Sequence, residues 1–177
     1  HAQQNSPKCI IAQPCPALVS YIEIYRPELI QYLAPADSPM LHTIKMVKTF
    51  YPQYANHKVL VVSPCLAKRR EFDETGYGDY NVTMATFQRF IEIKGIDISN
   101  YPETQYDNPP AERAVLFSSP GGLLETAIRE VPEIGLKARK IEGPEIIYKY
   151  FDKLAEEIEA GRAPLLIDCL NPKCRWG

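Results

Sequence analysis

Four short and nearly continuous apolar runs constrain the fold more than any other feature: residues 9–12, 58–62, 114–117 and 164–167. None shows the in-and-out alternation of a strand with one wet face. Each therefore reads as a strand covered on both sides, which is the mark of a parallel sheet. The intervening segments have helical spacing. Residues 16–33 carry Leu18, Ile22, Tyr25 and Leu29, and Pro27 splits them into two helices. Ser38 is placed to cap a helix that has Pro39 at its first position and Leu41, Ile44 and Val47 behind it. Residues 83–94 form a helix stopped by Gly95, and 122–130 another that ends before Pro132. The longest, 145–160, puts Ile146, Ile147, Tyr150, Phe151, Leu154 and Ile158 on one face and closes at Gly161. Strand and helix alternate, so the fold class is α/β, a mostly parallel β-sheet flanked by helices. Residues 96–110 are polar and aperiodic, a long surface loop. One domain over 8–177 is expected, with 1–7 a tail outside it.

A chain of 177 residues with 45% hydrophobic content buries roughly 70% of its unfolded surface and needs no staple. Twenty basic against twenty-two acidic residues leave no positive field for a phosphate backbone, so no nucleic acid partner is expected. The apolar runs fall far short of the ~18 residues that span a bilayer, so membrane insertion is not expected either. Five cysteines make an odd count, and the start carries no secretory pattern. A reducing, cytoplasmic setting without a disulfide framework is expected.

The chemistry-bearing residues stand where the strands end. The first runs into Gln13-Pro14-Cys15-Pro16, the second into Ser63-Pro64-Cys65, the fourth into Asp168-Cys169, and the third into Ser119-Pro120-Gly121-Gly122. Ligands of parallel sheets bind outside the carboxyl ends of strands, so neighbouring strands would bring these loops to one place. Thiolates on proline-stiffened loops suit a soft metal centre. Cys9, inside a strand, reads as packing. Cys15 and Cys65 read as ligands, with Cys169 and Cys174 between the two cases. Zinc is disfavoured because no CxxC exists, and His42 and His57 read as solvated. A cysteine nucleophile would need a base beside it, and the sequence sets none there. The Gly121-Gly122 helix start can present N–H groups to an anion or make a plain tight turn. Lys68 follows Cys65 by three residues, either beside the site or on the surface.

Gln13-Pro14-Cys15-Pro16, Ser38-Pro39-Met40, Ser63-Pro64-Cys65-Leu66-Ala67-Lys68 and Pro120-Gly121-Gly122-Leu123-Leu124-Glu125 occur in an order that resembles the catalytic domain of iron-only (FeFe) hydrogenases. The resemblance runs from Cys9 to Asn171 and is strongest to a divergent, sensory branch. It implies a 4Fe-4S cluster, with Cys15 and Cys65 matching cluster ligands and a late cysteine pair completing the set. It also implies that Lys68 matches a lysine that hydrogen-bonds a cyanide of a two-iron subsite. Met40 would replace a glutamine near a CO ligand, and Ser63 a methionine packed on that subsite.

The departures are as informative. Pro14 stands where active members have a cysteine that passes protons, so the usual proton route is missing. The late motif reads Asp168-Cys169-Leu170-Asn171-Pro172-Lys173-Cys174 rather than the family's CxxxC. Two readings stay open: Cys174 replaces one ligand, or residues are absent after Asn171. The bridge to a two-iron subsite is unsecured in both. The expectation is a cluster-binding, hydrogenase-like domain of an anaerobe in redox or hydrogen sensing, with weak or no H2 turnover. Its implied partners are ferredoxin-type and signalling domains in the same or another chain. The alternatives are an active hydrogenase fragment and a cluster-free α/β scaffold for partner binding.

Overall fold

The computed structural model describes residues 7–12, 15–106, 119 and 121–170. Five strands are described: β1 (Ile10–Ile11), β2 (Leu60–Ser63), β3 (Tyr80–Thr83), β4 (Ala138–Glu142) and β5 (Leu166–Leu170). Six α-helices are described: α1 (Pro16–Tyr25), α2 (Pro39–Phe50), α3 (Arg69–Thr75), α4 (Met84–Ile93), α5 (Gly122–Glu130) and α6 (Pro144–Glu159). Every described strand pair is parallel; the apolar runs of β1 and β5 are covered on both sides as expected, but β2 exposes Leu60 and Val62. The strands fall into two sheets, one ordered β1-β5-β4 and the other β2-β3.

The three-stranded sheet is the centre of the molecule. On one face Ile11, Ile141, Ile167 and Cys169 meet Leu18 and Ile22 of α1 and Ile147, Phe151, Leu154 and Ile158 of α6. On the other, Ile10, Ala12 and Leu166 meet Leu123, Leu124, Ala127 and Ile128 of α5. The period-2 alternation of β5 thus feeds two cores, giving a helix-sheet-helix sandwich. Phe151, Leu154, Ile22 and Ile167 are almost wholly removed from water, and each stabilises the fold by about 1.5–3 kcal/mol.

Local signals operate as expected at the helix ends. Proline at the first position starts α1, and Pro27 ends it by turning the chain into a 3-10 segment, Pro27–Tyr32. Ser38 Oγ accepts from Leu41 N at 3.3 Å to cap α2, and Thr83 Oγ1 accepts from Thr86 N at 3.1 Å to cap α4. Gly95 and Gly161 terminate α4 and α6 in the left-handed region.

Several expectations are corrected. Among the described residues the second run is not in one sheet with the first and fourth but pairs with β3, a strand that polar Asn81 and Thr83 disguise in the sequence. β4 has no apolar run to mark it, since its one buried residue, Ile141, stands among Arg139, Lys140 and Glu142. The last strand extends to Leu170, so Asp168 and Cys169 lie within it rather than beyond its end. Charged α3 buries only Phe72, so no apolar periodicity announces it in the sequence. Ile146 points to solvent and is not part of the buried face of α6. The loop at 96–110 contains a 3-10 turn, Ile98–Asn100, capped by Asp97. The strand expected at 114–117 lies outside the described residues, as do Pro14, Pro120 and Cys174.

Candidate functional site

Cys15 is the N-cap of α1, in extended backbone with no side-chain hydrogen bond of its own to the helix. Its carbonyl accepts from Leu18 N at 3.0 Å, which aims the chain into the helix while the half-buried side chain rests on the larger core. Cys65 holds the equivalent place before a 3-10 turn, Leu66–Lys68, that leads into α3. The Cys65 backbone is fixed from two sides. Ser63 Oγ lies 2.7 Å from the Cys65 carbonyl oxygen and 2.7 Å from Asn81 Oδ1, so its single proton serves one at a time. Asn81 Nδ2 donates to the same carbonyl at 3.1 Å. Buried Ser63 is thus a backbone clamp for Cys65, and β3 supplies the second half of the clamp.

The elements behind the two cysteines are tied together. The Leu66–Lys68 turn touches α1, and Arg70 reaches across from α3. Arg70 Nη1 donates to Ser20 Oγ at 2.7 Å, Nη2 to Glu23 Oε1 at 2.8 Å and Nε to Glu74 Oε1 at 2.6 Å. The hydrogen bond from Arg70 holds the Glu23 carboxyl below its ordinary range. Lys68 Nζ sits 3.1 Å from Glu71 Oε2. That oxygen is buried and, among the described residues, has no aligned hydrogen-bond donor. A cleft of about 130 Å³ opens here, lined by Pro16, Ser38, Leu41, Arg70, Glu71 and Glu74. Pro16 and Ser38, each within a sequence motif, and Glu71, just beyond a third, share this cleft, while Cys15, Met40, Cys65 and Lys68 are not among its lining residues. Met40 is half-buried in the first turn of α2.

Cys169 belongs to a different environment. It is 2% exposed on the same sheet face as Cys9. Burial pushes its thiol far above the ordinary range, with Asp168, Cys15 and Cys9 adding to the shift, and burial lifts Cys9 to about 11. Both are neutral thiols that fill space in the core. Asp168 turns to the opposite face, where it is 3% exposed. Its Oδ2 accepts from Leu124 N at 3.1 Å in the first turn of α5. The anion received by the Gly121-Gly122 helix start is thus the protein's own carboxylate. Burial raises the Asp168 pKa, opposed by the hydrogen bond from Leu124 and by Lys140. Gly121 has φ +80°, and a Cβ there would come within 2.8 Å of Lys140 Cδ.

The fit to a four-thiolate cluster is partial. Among the described residues no three His, Cys, Asp or Glu side chains gather as a metal-holding group. Cys15 and Cys65 are half-buried on adjoining elements, Cys169 is sealed in the core, and Cys174 lies outside the described residues. The described donors do not complete a cage by themselves. His42 and His57 are exposed, the latter edge-on to Tyr54 at 5.5 Å. Sequence reasoning missed Arg70, Glu71, Asn81 and Asp168 as parts of the site and its frame. Only Asp168 had a visible signal, a charge inside an apolar run. No helix among the described residues is long and apolar enough to cross a membrane.

Comparison with known proteins bears on the family and the fold. The family described as iron only hydrogenase large subunit, C-terminal domain, matches residues 1–163. Iron hydrogenase 1 of Clostridium pasteurianum is 26% identical over 162 residues, which cover 83% of this chain and 28% of that protein. An FeFe-hydrogenase structure from Chlamydomonas reinhardtii superposes with a TM-score of 0.73 at 18% identity, covering 98% of this chain and 62% of that one. A second FeFe-hydrogenase structure, from work on oxygen damage to the two-iron subcluster of the H cluster, gives 0.69 at 16% identity, covering 93% and 59%. The chain therefore spans little more than a quarter of the curated relative's length, and about three-fifths of the two solved chains.

Proposed function

The chain belongs to the iron-only hydrogenase large-subunit family, and from that premise we propose that it is a hydrogenase-like redox domain that binds a 4Fe-4S cluster. The ligands in this proposal are Cys15, Cys65 and Cys174 of the C-terminal segment, three of the four that such a cluster takes, with Cys169 a core residue beside them. The observation that carries it is that half-buried Cys15 and Cys65 stand at the starts of two adjoining elements that Arg70 ties together. A bound cluster would supply one-electron redox chemistry. The protein's part is to hold the two loops rigid, through the capped start of α1 on one side and the Ser63-Asn81 clamp on the other.

A sensing role with weak or no H2 turnover suits the sequence better than rapid catalysis. Pro14 has no titratable group where active members carry a proton-passing cysteine, and the late motif leaves the two-iron subsite without a secured bridge. Ferredoxin-type and signalling domains are the partners that such a role calls for. The test is iron and acid-labile sulfide per chain after anaerobic reconstitution, with low-temperature EPR of the reduced sample. About four of each, lost on Cys15→Ala with Cys65→Ala, is the expected result. Zero iron in anaerobic, full-length protein would overturn the proposal and leave the cluster-free scaffold.

A further inference from the structure

Eleven tyrosines are spread along the chain, and three of them gather where α1 lies beside α6. Tyr21 of α1 stacks on Tyr148 of α6 with ring centroids 4.3 Å apart and 30° between the planes. Tyr25, one turn along α1, lies 5.2 Å from Tyr21 at a tilt of 37°. The contact between the helices is held from two sides. Beneath it, buried Phe151 stands 6.5 Å from Tyr21, and beside it Arg26 Nε at the end of α1 donates to Asp152 Oδ1 of α6 at 3.1 Å. Aromatic pairs usually keep their centroids about 4.5–7 Å apart, so Tyr21 and Tyr148 are about as close as two rings come. A second tyrosine pair, Tyr51 with Tyr54, is wider at 6.5 Å. Tyr21 is half-buried and Tyr148 is 40% exposed, so the stack is fixed from within and reached from solution.

Packing alone would be served as well by two phenylalanines. Two phenols held face to face can also be coupled by oxidation. We propose that Tyr21 and Tyr148 form a site of oxidative modification, at which a one-electron oxidant made from hydrogen peroxide joins them as dityrosine. Each phenol gives up one electron and its hydroxyl proton. The two phenoxyl radicals then form a C–C bond between ring carbons ortho to the oxygens, and the hydrogens on those carbons move to the oxygens as the rings regain aromaticity. The pair loses two hydrogens in all, and one peroxide is reduced to two waters. Because the rings already touch, coupling is a step within one molecule and outruns encounters between molecules. Tyr25 is further from Tyr21, and so the lesser partner. The new bond ties α1, whose N-cap is Cys15, to a helix remote in the chain, and it restricts the unfolded state as a disulfide would. The basis is the stack, not the cluster, so a chain that holds no iron would form the same bond.

Peroxidase treatment tests it. The full-length protein is exposed to a haem peroxidase with hydrogen peroxide, dityrosine is followed by its blue fluorescence, and cross-linked peptides are identified by mass spectrometry. The expected main product within one chain joins the peptides of Tyr21 and Tyr148 and is two hydrogens lighter than their sum. Tyr148→Phe keeps the ring and removes the phenol, so it should lower the dityrosine formed within the chain at least tenfold with the circular dichroism unchanged. Tyr51→Phe should leave the yield as it is, and the cross-linked monomer should unfold at a higher urea midpoint than the untreated protein. A main product joining Tyr21 to Tyr25, Tyr51 to Tyr54 or one chain to another would overturn the proposal. So would a yield that survives Tyr148→Phe, or the lack of any dityrosine. Iron content does not enter the readout, so failure here is separable from failure of the cluster reading.

Discussion

Substituting serine for Cys169 and for Cys15 should move stability in opposite directions, although the chemical change is the same. Cys169 is 2% exposed among Ile11, Ile141, Ile167 and Phe151, apolar side chains that offer a hydroxyl no partner. Burying a hydroxyl without a partner costs about 1–3 kcal/mol. Cys169→Ala avoids that cost and leaves only a small void, about 1 kcal/mol. Cys15 is an N-cap in extended backbone whose side chain makes no cap hydrogen bond. Serine is a preferred residue there, and its oxygen can accept from the first turn of α1, a gain of about 0.5–1 kcal/mol. Urea unfolding of the metal-free, reduced protein reads both effects as midpoint shifts at constant slope. In reconstituted protein, Cys169→Ala should keep its iron and Cys15→Ser should lose it. A neutral Cys169→Ser, or loss of iron on Cys169→Ala, would refute the assignment of Cys169 to the core.

Asp168 should give stability an unusual pH dependence. Its folded-state pKa is raised by burial, so the folded protein keeps this proton at pH values where the unfolded chain, with a carboxyl near 3.9, has released it. Stability from this group falls as pH rises through that interval and is level above the folded value. Asp168→Asn keeps an acceptor for Leu124 N and removes the charge, so its advantage over the wild type should grow by up to about 1.4 kcal/mol per pH unit within the interval. Urea midpoints from pH 4 to 7 check this, and parallel curves would contradict it. Gly121→Ala should cost about 1–2 kcal/mol, because φ is +80° and the new methyl meets the Lys140 stem, which is half-exposed and can move aside. A thermal midpoint within 1 °C of wild type would show that this backbone is not constrained as described.

What could be read in the sequence was what packing alone dictates. The apolar runs at 9–12 and 164–167 became neighbouring parallel strands, and proline, serine and glycine marked the helix ends, because those signals act within a few residues of where they stand. The motifs at Cys15, Ser38 and Cys65 also carried the family. What could not be read depends on partners remote in the chain. Tyr80-Asn81-Val82-Thr83 looks like a loop because Asn81 interrupts the apolar pattern, yet that amide holds the carbonyl of Cys65 from 16 residues away. Asp168 breaks the apolar run of β5, and its carboxylate meets the start of α5 from 44 residues away. In both places the local rule fails where a polar side chain serves a distant backbone group. The same holds for Arg70, whose position in a charged helix gives no hint that it spans to Ser20 and Glu23. Such residues are invisible to periodicity because their value lies in one satisfied hydrogen bond, not in a repeated face. A polar residue interrupting an otherwise apolar strand is therefore the sign, in this chain, of a backbone group elsewhere that must be held in place.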